Sequence, residues 1–235
     1  MNDIYQRVRL AGEAEDSARI LETLAAMKSG KLKNDLRLLN FYMEVPVSYG
    51  AWVETVEENF AELLVHQVQA VVIAQEKVTI LKSSHFPKDV AANVTYVNVE
   101  KSKVVLSNLG YAIVRADRRM SVRVEMGEAI NACFQCQDVK VEGKLHDMSL
   151  TGMSLLVEHD PGITVSEKGE LAIALPGGTI TAPASLLKIV TLASGCRLIL
   201  EIEPERNAEH SISQYIFQRQ VEIIKELKEH PDVTL

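Results

Sequence analysis

The sequence predicts a mainly β protein: two small β-barrels in tandem, with a helix at the N-terminus and a long helix at the C-terminus. Two series of short runs rich in Val, Ile and Thr, broken by polar residues, occupy roughly residues 45–107 and 122–202. A cluster of arginines between them marks a junction. Near the two ends, apolar residues recur at helical spacing instead.

Taken in order, the first thirty residues read as helix. Ser17 is placed to cap it, Ile20, Leu21, Leu24 and Met27 line one face, and Gly30 ends it. A short helical piece is expected over 35–41. Strands are then expected over 45–48, 51–56, 61–65, 70–73, 78–81, 94–99 and 103–107, enough for a small barrel. A second series covers 122–125, 132–134, 139–145, 153–157, 169–175, 180–189 and 196–202, with Pro176-Gly177-Gly178 as a turn. Pro204 closes the last strand. Ile212, Tyr215, Ile216, Ile223, Ile224 and Leu227 then share a helical face, and Lys225 and Lys228 suit the negative end of the helix dipole. That face docks on its own domain or, through 212, 216, 223 and 227, pairs two copies into a homodimer. The expected domains are a helical segment at 1–31, an N-terminal β-barrel at 32–112, and a second barrel with arginine linker and terminal helix at 113–235.

The 235 residues are 47% hydrophobic and carry a net charge of −7. That core content argues against disorder. The acidic balance argues against a nucleic acid polymer as partner, although a local arginine cluster can still hold a small anion. The most apolar run, 63–74, is interrupted by His66, Gln67 and Gln69 and is too short and polar for membrane insertion. No basic-then-apolar leader opens the chain, and three cysteines form no complete disulfide framework, so a cytoplasmic location is expected.

Two motifs carry chemistry. Arg118, Arg119 and Arg123 fall within six residues. Guanidinium is planar, permanently charged and forked, so it pairs with phosphate oxygens or the guanine O6/N7 edge and stacks on bases. Asp147, Ser149 and Gly152 follow at Asp-x-Ser-x-x-Gly spacing, after twenty-three intervening residues. A carboxylate matches the N1–H and 2-amino donors of guanine, a hydroxyl bonds a base edge or phosphate, and glycine permits close approach. Read separately, the first motif is a solvated linker and the second a turn. Read together, with β runs between and after them and a helix at the end, they resemble the PilZ family of cyclic di-GMP receptors over roughly residues 115–230.

The resemblance implies a six-stranded C-terminal barrel with a terminal helix. It also implies that the N-terminal domain is a split-barrel companion, as in two-domain proteins of the flagellar-brake type. By that resemblance Arg119 and Arg123 grip phosphate and guanine, and Asp147, Ser149 and Gly152 receive a guanine on the barrel surface. Arg118 corresponds to an arginine that stacks on a second, intercalated ligand molecule. Arg115 offers an alternative Arg-x-x-x-Arg register with Arg119, but a strand entrance at Val122 favours the later pair. The implied function is a non-enzymatic receptor whose ligand changes the interdomain arrangement and so regulates a protein partner, in the flagellar motor or another motility or biofilm apparatus. The alternative is a non-binding adaptor.

His146 stands where the family pattern has an apolar residue and reads as an outward strand-end side chain. Cys133 and Cys136 form a Cys-x-x-Cys pair with no second pair to complete a zinc site; on a strand they point to opposite faces. Cys196 reads as core. No metal, resident cofactor or catalytic constellation is expected.

Overall fold

The computed structural model describes residues 5–115 and 121–233. The chain divides into two compact units. The N-terminal one contains β1 (Tyr5–Arg7), α1 (Glu13–Lys28), β2 (Arg37–Tyr42), β3 (Val45–Gly50), β4 (Trp52–Val56), β5 (Phe60–Leu64), α2 (Gln67–Glu76), β6 (Val78–Lys82), β7 (Asp89–Asn98) and β8 (Lys103–Val114). Their sheet runs β3-β2-β6-β7-β8-β5-β4, with β1 added to β8. Its two ends do not pair, so it curls as a half-barrel. Ile20 and Leu24 of α1 meet Leu38, Leu63, Leu81 and Leu106 in its core, each fully buried. Burying one such side chain stabilises a fold by roughly 1.5–3 kcal/mol.

Four local readings need correction. Gly12, not Ser17, is the N-cap of α1. Asp16, buried in its first turn, instead accepts the Leu10 and Ala11 backbone N–H groups and ties down the preceding loop. The start of the chain is not all helix, because Tyr5–Arg7 pairs antiparallel with β8. Residues 37–42 are strand: Leu38 and Leu39 pair with Leu81 and Ile80 of β6. The run 70–73 belongs to α2, where every residue from Val68 to Ile73 is buried. His66 caps this helix, its Nδ1 accepting the Val68 N–H, and Lys77 ends it in the left-handed conformation at φ 59°. Gln69 donates to Oδ1 of Asn40, Thr79 donates to the same oxygen, and Asn40 donates to the Val78 carbonyl, so helix and sheet share one satisfied buried network.

The C-terminal unit contains β9 (Arg123–Glu125), β10 (Asn131–Cys136), β11 (Val139–Ser149), β12 (Gly152–Val157), β13 (Lys168–Leu175), β14 (Gly178–Thr191), β15 (Cys196–Ile202) and, as far as Ile224, α3 (Arg206–Lys228). The order β10-β13-β14-β15-β12-β11 closes through pairing of β10 with β11, giving a six-stranded barrel; β9 hangs on the outside edge of β11. Phe134, Met148, Met153, Leu155, Leu171, Leu186, Leu198 and Leu200 fill the interior with at most 1% exposure. These alternate with outward residues, as the two-residue period of a strand requires. The Pro176-Gly177 turn joins β13 to β14, with Leu175 opposite Gly178. In α3, Ile212, Ile216, Arg219, Ile223 and Leu227 are buried, but Ile224 lies on a different, exposed face.

Candidate functional site

The second motif lies within a hairpin, later than its turn-forming residues suggest. β11 continues to Ser149, so Asp147 and Ser149 are strand residues, and Leu150-Thr151 make the turn into β12. A bulge between Leu145 and Asp147 resets the register at His146. Beyond it Met148 points into the barrel, opposite Met153 and Val124, while Asp147 and Ser149 point outward.

β9 supplies the arginine. Arg123, the first residue of that strand, sits opposite Ser149, and Glu125 sits opposite Asp147. Cross-strand partners share a face, so Arg123, Glu125, Asp147, Ser149 and Ser154 form one outward patch. Arg123 Nε lies 3.5 Å from Oδ1 of Asp147. Ser154 donates to the other oxygen, Oδ2, at 2.5 Å. Ser149 Oγ donates to the Gly152 carbonyl at 2.9 Å. Asp147, Ser149 and Ser154 are 5%, 5% and 2% exposed although they are on the outer face. Arg123 Nε and Asp147 Oδ1 are shielded yet make no hydrogen bond. The two atoms face each other as an ion pair instead.

Gly152 has an ordinary backbone conformation. Its contribution is space: an added Cβ would stand 3.4 Å from Ser149 Oγ and 3.8 Å from a terminal nitrogen of Arg123. A side chain there would project into the patch.

The structure thus gathers Arg123, Asp147, Ser149 and Gly152. Arg118 and Arg119 lie outside the described residues. Arg115 directly follows β8 and donates to Gln6 Oε1 on β1, which places it beside the N-terminal sheet. Three participants escaped the sequence reading. Ser154 orients Asp147, and its only sequence signal is a polar residue at an outward strand position. Arg219 of α3, 5% exposed, donates Nε to the Glu125 carbonyl at 3.2 Å and so anchors β9 from behind. Gly127 makes room for it, since a Cβ there would stand 2.6 Å from the guanidinium carbon.

His146 sits on the bulge, its Nδ1 3.8 Å from Oε1 of Glu125. Cys133 is half-buried and Cys136 buried, on opposite faces of β10; Cys196 is in the core. Cys136 Sγ donates to Oε2 of Glu167 at 3.0 Å, and this bond, with burial, pushes its thiol pKa up. The pair does not form a chelate. Among the described residues no group of three or more His, Cys, Asp or Glu side chains could hold a metal. None of the helices among them is long and apolar enough to cross a membrane.

The family model of the PilZ domain matches residues 117–218. This stretch is a PilZ domain. Its boundaries enclose the arginine motif, the Asp-x-Ser-x-x-Gly hairpin, the whole barrel and half of α3. The chain is also similar to three solved structures. One is YcgR of Escherichia coli in complex with c-di-GMP, at 13% identity, covering 96% of both chains with a TM-score of 0.46. Another is the Bacillus subtilis inhibitor of motility, MotI/DgrA, at 13% identity, covering 80% of this chain and 95% of that one, TM-score 0.44. The third is the MrkH–c-di-GMP complex of K. pneumonia, at 13% identity, covering 92% and 97%, TM-score 0.45. A search of curated proteins found no match.

Proposed function

We propose that this protein is a receptor for cyclic di-GMP that works without catalysis. One observation carries the reading: within a PilZ domain, Arg123, Asp147, Ser149 and Gly152 converge on one outward patch of the barrel, where the Arg123 guanidinium and the Asp147 carboxylate face each other at 3.5 Å. A guanine edge offers two donors to Asp147, and a phosphate offers acceptors to Arg123. Arg119 completes the grip and Arg118 stacks on a second ligand molecule.

Arg118 and Arg119 lie in sequence between the last strand of one unit and the first strand of the other. Drawing that segment onto a bound nucleotide restricts the connection between the units. Ordering it costs about 1–2 kcal/mol per residue, which charge-assisted bonds to a doubly anionic ligand must exceed. The resulting surface is read in the cytoplasm by a protein partner, in a motility apparatus such as the flagellar motor.

Isothermal calorimetry with cyclic di-GMP, against cyclic di-AMP and GTP, tests this. Binding is expected for cyclic di-GMP alone. Arg119→Ala and Arg123→Ala each remove charge-assisted contacts of roughly 1.5–3 kcal/mol, a loss of about tenfold to a hundredfold. Arg118→Leu lowers stoichiometry from two ligands per chain toward one. Unchanged affinity in both alanine variants removes the assigned site, and no binding at all leaves the adaptor role.

A further inference from the structure

The outward patch holds two acids, and Glu125 is the open one. It sits opposite Asp147 across β9 and β11, so the two carboxylates stand on one face. Its side chain is 41% exposed, against 7% for that of Asp147. His146 Nδ1 lies 3.8 Å from Oε1 of Glu125, beyond hydrogen-bond reach, so among the described residues no donor occupies this carboxylate. The strand order β12-β11-β9 puts Ser154 on one flank of Asp147 and Glu125 on the other. Ser154 bonds Oδ2 of Asp147, and Oδ1 turns toward Arg123 on β9.

Building on the cyclic di-GMP reading, we infer that Glu125 is a specificity-determining residue that accepts from the 2-amino group of guanine. That base presents three hydrogens along one edge, one on N1 and two on the 2-amino nitrogen. N1–H and one amino hydrogen point the same way, and the second amino hydrogen points toward the sugar side. Asp147 has two oxygens, and Ser154 already holds one of them. A guanine set on Asp147 therefore has an amino hydrogen left over, and a desolvated donor without an acceptor weakens binding. Glu125 is the neighbouring acceptor on that face, and a carboxylate accepts more strongly than a neutral group. Its charge also sets the ligand's direction. A phosphate beside Glu125 meets like charge, whereas one beside Arg123 and Ser149 meets a cation, a hydroxyl and the room left by Gly152. The base edge is drawn to the Glu125 end of the patch and the phosphate to the Arg123 end. Hypoxanthine, which lacks only the 2-amino group, keeps its N1 donor for Asp147 but gives Glu125 nothing.

Calorimetry of the full chain and of Glu125→Ala tests this, with cyclic di-GMP and its hypoxanthine counterpart, cyclic di-IMP, as ligands. The substitution keeps the Glu125 carbonyl that Arg219 holds, so thermal melts should match those of the parent. The parent should favour cyclic di-GMP by about tenfold or more. Glu125→Ala should lose about tenfold in affinity for cyclic di-GMP and nothing for cyclic di-IMP, so that the preference shrinks. A parent that binds the two ligands equally well overturns the assignment and leaves the receptor itself standing. So does a Glu125→Ala variant that weakens both ligands alike, or one that binds cyclic di-GMP as the parent does. A parent that binds neither dinucleotide removes the receptor function, and the role of Glu125 with it.

Discussion

Ser154 donates its hydroxyl hydrogen to Oδ2 of Asp147 across 2.5 Å and thereby fixes which oxygen Asp147 turns toward Arg123. The bond crosses from β12 to β11 between directly opposed residues. Ser154→Ala frees the carboxylate to rotate and removes one of its donors. Stability should fall by about 1 kcal/mol and cyclic di-GMP affinity by roughly fivefold to tenfold, with stoichiometry unchanged. Calorimetry alongside denaturant melts measures both, and a variant that binds as the parent does would show that Ser154 is only structural.

Gly169 and Gly177 should respond oppositely to alanine. A Cβ on Gly169 would fall 2.1 Å from the Gln135 carbonyl oxygen, a backbone atom that cannot step aside without parting β13 from β10. Nothing lies within 4 Å of a Cβ on Gly177. Gly169→Ala should cost about 3 kcal/mol or more, and Gly177→Ala should stay within about 0.5 kcal/mol of the parent. Urea midpoints distinguish the two.

Asp35 makes acid stability traceable to one group. Its oxygens accept from Ser83 Oγ, Ser84 Oγ and the Ser84 N–H, and His85 lies nearby, so its carboxyl is held well below the usual range. A carboxylate whose folded pKa lies below the unfolded value of about 3.9 contributes its full stabilisation above that value and loses it as pH falls toward the folded one. Asp35→Asn should therefore lower the melting temperature at pH 7, and the gap to the parent should begin to narrow as pH falls below about 4 and keep narrowing to the lowest pH at which the fold still melts. A gap that does not vary with pH would mean that the Ser83–Ser84 loop is held by other contacts.

Thiol reactivity should rank the cysteines. Cys133 is half-exposed, whereas Cys196 is buried and Cys136 is both buried and bonded to Glu167 with its thiol pKa raised. Iodoacetamide at pH 7.5 should modify Cys133 well before the other two, because the thiolate is the reacting form and must be reached. Peptide mapping by mass spectrometry reads the order. Glu167→Gln should leave it unchanged, since burial still shields Cys136.

The barrel domain was more legible than its companion, for physical reasons visible at single residues. In the second β series, alternation and turn signals coincide, as at Leu175–Gly178, and the strands follow. Ala70–Ile73 defeated the same logic because α2 is covered on all sides, and a short, wholly apolar run has no periodicity to tell helix from strand. Leu38 and Leu39 of β2 are both buried, so the alternation that marks a strand is missing there too. Asp147, Ser149 and Gly152 stood out as candidates by their chemistry at fixed spacing. Ser154 and Arg219 did not, because they act through contacts set by strand register and helix docking.

The ring of six strands closes without β9, which pairs with one strand by three opposed residue pairs and is otherwise held by Arg219. Substitutions in this appendage can therefore alter the outward patch while the barrel goes on assembling. Drift at Arg123 would leave a sound fold, and with it the rest of the barrel's outer surface.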